Sequence, residues 1–300
     1  MRSTIFISVI LTASSVSVDI VRGEERADAP KKHAAAIQKR VRDVEKKLIE
    51  YRSSEQFNRG RVTFRKTVIR SVGFSDEFEY RIEFDGESIR FDWRGRTLGH
   101  KRWGGWHQHV VTPSYYLRDY PNGTSVHKGR ISDYKNVRQT YQIFHPRTLG
   151  TSLNTYTLAE NGLHGLIGRS GRSEFAVAKE KLLGKDAVKI EFVLASPLIS
   201  PKQIVRIVPE MGFAIVSAES NFRLGDKAVV SRMDAKYQKW GETWYPKKID
   251  HQYVKLGKLE HRETITVTSA EFGVPIESST FTIEGLGLAP GRDVTDTTKD

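Results

Sequence analysis

From Glu77 to Trp93 apolar and charged residues alternate with a period of two, on both sides of an Asp-Gly pair. Phe78, Tyr80, Ile82 and Phe84 are interleaved with Glu77, Glu79, Arg81 and Glu83. Side chains two apart share a face of a strand, so this stretch is a strand with one apolar and one charged face. Asp85-Gly86 is a two-residue pair of the kind that closes a hairpin. Such a turn sets Phe84 opposite Glu87, which places Ile89, Phe91 and Trp93 on the face of the even-numbered residues before it. Tyr80, Ile82, Phe84, Ile89, Phe91 and Trp93 therefore load one side of a ribbon that needs further strands or a helix to cover it. Glu77, Glu79 and Glu83 solvate the other side.

The same period recurs along most of the chain. Val62 and Phe64 lead toward Val68; Val137, Tyr141 and Ile143 share one parity, as do Val188, Ile190, Phe192 and Leu194. Gln203 to Ile207 and Phe213 to Ala218 flank the turn residues Pro209 to Gly212, and Gly241-Glu242 turns Trp240 back into Trp244-Tyr245. About ten strands with short connections predict a mainly β fold, a large antiparallel sheet bent into an unclosed half-barrel.

Helical spacing is confined to two places. Pro30 can occupy a first turn, and Lys31 to Tyr51 carries Ile37, Val41, Val44, Leu48 and Tyr51 in one stripe. This helix is built to lie on the apolar face as a lid. A second, shorter helix is expected between Thr157 and Gly168, from the capping-box spacing of Thr157 and Glu160. Nothing divides residues 24–300 into separate domains, and the polar tail from about residue 292 reads as loose.

Residues 1–23 read as a secretory signal: Met1-Arg2, an apolar run from Thr4 to Val18, then small residues before a cleavage point. The expected product is soluble and periplasmic, since no later run is long enough to span a bilayer. The chain has no cysteine, which excludes disulfides, thiol chemistry and a lipid-bearing cysteine anchor. Its net charge of +12 favours anionic partners. In an exported protein these are an anionic membrane surface or cell-wall polymer. Lys and Arg are dispersed among acids, as in Glu77 to Arg94, which argues against nucleic acid.

No nucleophile elbow or phosphate loop occurs, and no cofactor is implied, so the chain reads as non-catalytic. The strongest local candidate for chemistry is His100, His107 and His109 among Trp103 and Trp106. His107 and His109 share a strand face and are weak metal-ligand candidates, two ligands being too few for a site. The bland alternative is an aromatic loop with ordinary histidines.

The order of features resembles the lipoprotein-carrier superfamily of bacterial envelopes, which includes a periplasmic lipoprotein chaperone, an outer-membrane receptor and an envelope-stress sensor. It is carried by an amphipathic helix after a signal, Arg61-Val62-Thr63-Phe64, the hairpin ending in Phe91-Asp92-Trp93, then Trp244-Tyr245-Pro246 and Phe281-Thr282-Ile283-Glu284-Gly285-Leu286. The likeness is greatest to long, signal-bearing versions from planctomycete-type bacteria. It implies an unclosed barrel plugged by helices around an apolar cavity for acyl chains, with lipid or acylated protein as partner. The chain departs from the compact carriers in its added material from Trp103 to Gly168 and in lacking the receptor's cysteine. Two readings follow. One is a carrier or sensor that holds an apolar ligand against Tyr80, Ile82, Phe84, Ile89, Phe91 and Trp93, under the lid residues Ile37, Val41, Val44 and Leu48. The other is a cell-wall or membrane-surface module with a packed core and a basic exterior.

Overall fold

The computed structural model describes residues 29–71, 73, 75–120, 123–128, 146–150, 175–193, 202–224, 227–288 and 294–296. Helix α1 (Ala29–Arg52) opens this part of the chain, two residues longer at its start than the stripe alone requires. Six strands follow: β1 (Arg59–Arg70), β2 (Asp76–Asp85), β3 (Ser88–Thr97), β4 (His107–Val111), β5 (Tyr115–Tyr120) and β6 (Gly123–Lys128). After a short 3-10 turn at Pro146–Thr148 come β7 (Phe175–Leu182), β8 (Lys185–Val193), β9 (Lys202–Val208) and β10 (Ala214–Leu224). Then come β11 (Lys227–Trp240), β12 (Thr243–Lys255), β13 (Lys258–Phe272) and β14 (Val294–Asp296).

All fourteen belong to one sheet, in the order β14-β6-β5-β4-β3-β2-β1-β13-β12-β11-β10-β9-β8-β7. The chain enters at the centre, steps outward to β6, resumes at the opposite edge with β7 and steps back until β13 pairs with β1. The pairings are antiparallel except that of β14, which lies parallel to β6 as Val294–Asp296 against Thr124–Val126. The two edges, β14 and β7, do not pair, so the sheet stays open. Register shifts at Thr63/Phe64, Ile215/Ser217, Lys236/Tyr237 and Tyr253/Val254 interrupt the long central pairings. Irregularities of this kind bend strands and let a wide sheet curl.

The hairpin expected from the alternation is β2–β3, with its turn displaced by one residue. Asp85 pairs with Ser88 and Phe84 with Ile89, so Gly86-Glu87 are the linking residues rather than Asp85-Gly86. Gly86 is the residue with positive φ, at +57°, and glycine tolerates it at the first linking position. The displacement is by one residue on each strand, so parity survives and both apolar rows share a face.

That face is the one α1 covers. Val41, Val44 and Leu48 are buried in one cluster with Val62, Phe64, Ile82, Phe91, Ile249 and Ile265, and Ile37 packs against it. Each such aliphatic side chain contributes about 1.5–3 kcal/mol on burial, more than helix propensity supplies. A separate cluster lies under the C-terminal segment, where Ile276, Phe281 and Leu286 pack on Val110 and Leu117. Neighbouring Val110 and Val111 thus enter different clusters, so β4 is covered on both faces. The helix expected at Thr157–Gly168, the strand through Val137, Tyr141 and Ile143, and the secretory signal lie outside the described residues.

Candidate functional site

The inner face of the sheet gathers the side chains that the alternation singled out. Tyr80, Ile82, Phe84, Ile89 and Phe91 are all buried there, and Trp93 is half-buried beside them. Phe64 stacks on Tyr80 with ring centroids 4.6 Å apart, and Phe91 follows at 5.5 Å from Tyr80. Ile37, Val41, Val44 and Leu48, expected to form a lid, pack in or against the same cluster, so helix and aromatic face meet. The C-terminal end of α1 is pinned: the Tyr51 hydroxyl accepts from the Trp244 backbone N–H at 2.8 Å, and Ser54 Oγ donates to the Tyr51 carbonyl at 2.6 Å.

Two charged groups sit on this face where parity calls for apolar residues. Lys66 follows Val62 and Phe64 on β1, and Glu263 precedes Ile265 and Val267 on β13. Lys66 is 6% exposed and Glu263 3%, with Nζ and Oε2 3.9 Å apart. The Lys66 ammonium also lies 5.5 Å from the Phe78 ring centre and 5.9 Å from that of Tyr80. Burial lowers the Lys66 pKa, with the Glu263 charge opposing the shift. It raises that of Tyr80 so far that the phenol stays neutral. Nearby, His251 Nε2 is 2.9 Å from Ser231 Oγ, and burial lowers its pKa. This polar group lies toward the end of the sheet where β1 finishes and β13 begins.

At the opposite end is Arg52, the last residue of α1 and the largest side chain buried to less than 2% exposure. Its guanidinium lies 5.2 Å from the Phe57 ring centre and 5.3 Å from that of Tyr245. Nη2 donates to the Leu149 carbonyl at 3.4 Å. The Tyr245 hydroxyl donates to the Pro146 carbonyl at 2.8 Å and the Tyr237 hydroxyl to that of Gly150 at 3.2 Å. A short strip of chain, Pro146 to Gly150, is thereby held against the end of the inner face by three carbonyls. Sequence reasoning missed Lys66, Glu263 and Arg52. The signal was present in each: two charges at core parity, and an arginine four residues after Leu48 on the apolar stripe.

The histidines divide. His107 and His109 do share the inner face, opposite Trp93 and Phe91. His107 stacks on Trp93 at 4.2 Å, and His109, 2% exposed, has Nδ1 2.6 Å from the Tyr116 hydroxyl. Burial and the neighbouring Arg118 hold the His109 pKa down to about 3, so its ring is neutral. His100 is exposed. No group of three His, Asp or Glu placed to hold a metal ion occurs among the described residues.

The loop after β3 turns onto the outer face, anchored by the Gly104 N–H to the Gly95 carbonyl at 2.9 Å. Trp106 lies against Arg81 and Arg94 at 4.4 and 4.6 Å, and Trp103 against Arg94 and Arg96 at 5.0 and 4.3 Å. Glu79 and Glu77 pair with Arg94 and Arg96. The charged row of the hairpin is thus an ion-paired ladder under two indoles, where simple solvation was expected. A cleft of about 500 Å³ opens beside β10 and β11, lined by Leu182, Leu183, Val216, Arg206 and Arg232 among others. Its arginines are paired, Arg206 with Glu180 and Arg232 with Asp234.

No protein-family model matches the chain, and no curated protein matches it. Three solved structures are similar to it. A family protein of the DUF1329 type from Desulfovibrio piger has a TM-score of 0.48 and 11% identity, covering 84% of this chain and 98% of that one. An outer membrane lipoprotein-sorting protein domain from Vibrio parahaemolyticus has a TM-score of 0.47 and 11% identity, covering 85% and 100%. A LolA superfamily protein from Nitrosomonas europaea has a TM-score of 0.45 and 10% identity, covering 81% and 98%.

Proposed function

We propose that the protein is a non-catalytic binding protein of the cell envelope that holds an apolar ligand, a lipid or the acyl chain of a lipoprotein, between its half-barrel and α1. The observation that carries this reading is the pairing of one aromatic-rich inner face with the amphipathic helix α1, pinned at its C-terminal end. Acyl chains would take the place of α1 side chains against Tyr80, Phe91 and their neighbours, each buried methylene contributing about 0.8 kcal/mol. Such an exchange is close to balanced, since apolar contact replaces apolar contact. Titration with a fluorescent fatty-acid probe tests it. Saturable uptake near one probe per chain is expected, weakened several-fold in Trp93→Glu, a change at a half-buried site. Parental uptake by a folded Trp93→Glu protein would remove Trp93 from the site.

One observation favours the second reading, a membrane-surface module with a packed core. At the β12–β13 tip Leu256 is 60% exposed, with φ at +50°, and it stands between Lys255 and Lys258 with Leu259 also exposed. Salt-sensitive binding to anionic vesicles by a protein that takes up no acyl probe would establish that reading in place of the first. Among the described residues no helix is long and apolar enough to cross a membrane.

A further inference from the structure

Arg52 is a full charge in an apolar place. Its side chain is 1% exposed. Arg94, Arg96 and Arg206 each have a carboxylate beside them, whereas Arg52 has none among its partners in the described residues. Nη2 donates to a neutral carbonyl at 3.4 Å and the guanidinium also acts on the neutral Tyr237 hydroxyl, while among the described residues the buried Nε and Nη1 have no hydrogen-bond partner within ordinary geometry. Phe57 and Tyr245, with ring centres 5.2 and 5.3 Å from the guanidinium carbon, bring π-electron density to the cation but no formal negative charge. An uncompensated buried charge is among the costliest features a fold can carry. A purely mechanical clamp on residues 146–150 would not need one, because the Tyr245 and Tyr237 hydroxyls already hold that strip.

The surroundings specify what would compensate it. Tyr237 and Tyr245 are kept neutral by burial, against the pull of the Arg52 charge, and their O–H protons are already given to the Gly150 and Pro146 carbonyls, so neither supplies a counter-charge. From Phe57 the apolar surface runs without a break: Phe272 at 4.9 Å from Phe57, then Phe84 at 6.5 Å from Phe272, and so onto the aromatic inner face. One cation with spare N–H groups and an apolar track form a head-and-tail arrangement.

We propose that Arg52 is the anchor for the carboxylate of a fatty acid whose tail lies along the inner face toward Phe84. The proposal rests on the apolar-ligand reading above and adds the chemical class of the head group. The carboxylate accepts from the unpaired N–H groups of Arg52, while Nη2 keeps the Leu149 carbonyl. The ligand enters with its charge, and the buried guanidinium becomes one half of an ion pair.

The test compares palmitate with hexadecanol, equal in chain length, by displacement of a fluorescent acyl probe at neutral pH. Palmitate is expected to bind at least about tenfold more tightly, the usual return on a charge-assisted hydrogen bond. In Arg52→Met, which keeps length and loses charge, the two ligands should bind alike while hexadecanol binding is retained. If Arg52→Met does not fold, Arg52→Lys and a pH series on the unaltered protein carry the comparison. The preference must then shrink in the lysine variant and vanish as the carboxylate is protonated. Equal binding of palmitate and hexadecanol by the unaltered protein overturns the anchor and leaves the apolar site standing. A preference that survives Arg52→Met does the same. Binding of neither ligand overturns both.

Discussion

A neutral histidine in a core is a pH liability with a definite sign. His109 has its folded pKa near 3, whereas the unfolded chain returns it to about 6.5. Between those values the unfolded state binds more protons, so stability is greatest above about pH 6.5 and falls as pH drops toward 3. The slope from this one residue approaches about 1.4 kcal/mol per pH unit within the window. His109→Gln should keep a hydrogen-bonding group beside Tyr116 and flatten the acid limb by nearly one proton, as read from urea unfolding midpoints between pH 7 and 4. His107 and His251 are also lowered by burial and act with the same sign, so some acid sensitivity remains in the variant. An unchanged slope would mean that His109 is not buried neutral. At this scale the sequence was legible in its apolar rows and illegible in its exceptions. Parity placed Phe91 and Ile82 inside without difficulty. The same parity points Lys66 and Glu263 inward, and the helical stripe does so for Arg52, but a long charged side chain at a core position reads as an edge or a bend until its partners are known.

The β2–β3 hairpin and α1 show what short-range pattern can and cannot specify. The alternation from Phe78 to Trp93 determined which side chains share a face, and the structure keeps that assignment although the turn moved to Gly86-Glu87. A two-residue turn leaves parity unchanged when both strands slide together, so hydrophobic pattern cannot distinguish the two registers. Only the positive φ taken by Gly86 does. The indole ladder was beyond reach for another reason: Trp103 and Trp106 return over Arg81, Arg94 and Arg96 through a loop whose path depends on Gly104 meeting Gly95. Each cation–π contact on an accessible surface contributes about 0.5–1 kcal/mol, and two arginines flank Trp106. Trp106→Ala should therefore cost about 1–2 kcal/mol of stability by chemical denaturation, while leaving acyl-probe uptake unchanged because the loop lies on the outer face. Loss of uptake without loss of stability would place the loop in the binding site.

For the molecule as a whole, the pairing of β1 with β13 decides the architecture. It joins two runs of neighbouring hairpins at the centre of one sheet and leaves β7 and β14 as unjoined edges. Local periodicity carried the number and texture of the strands; the order in which they assemble depends on contacts two hundred residues apart, which no local pattern encodes. One amphipathic helix then lies on an inner face with an unpaired cation at one end, an ion pair at the other and aromatic rings between them. This arrangement is the basis for reading the protein as a holder of amphipathic, apolar ligands. The most direct test is native mass spectrometry of the protein exported by a bacterial host, followed by solvent extraction of whatever it carries. The account predicts a retained species of one lipid-sized mass per chain, released as an acyl compound on extraction. Protein that emerges at its bare mass, and stays bare after incubation with fatty acids, would contradict it.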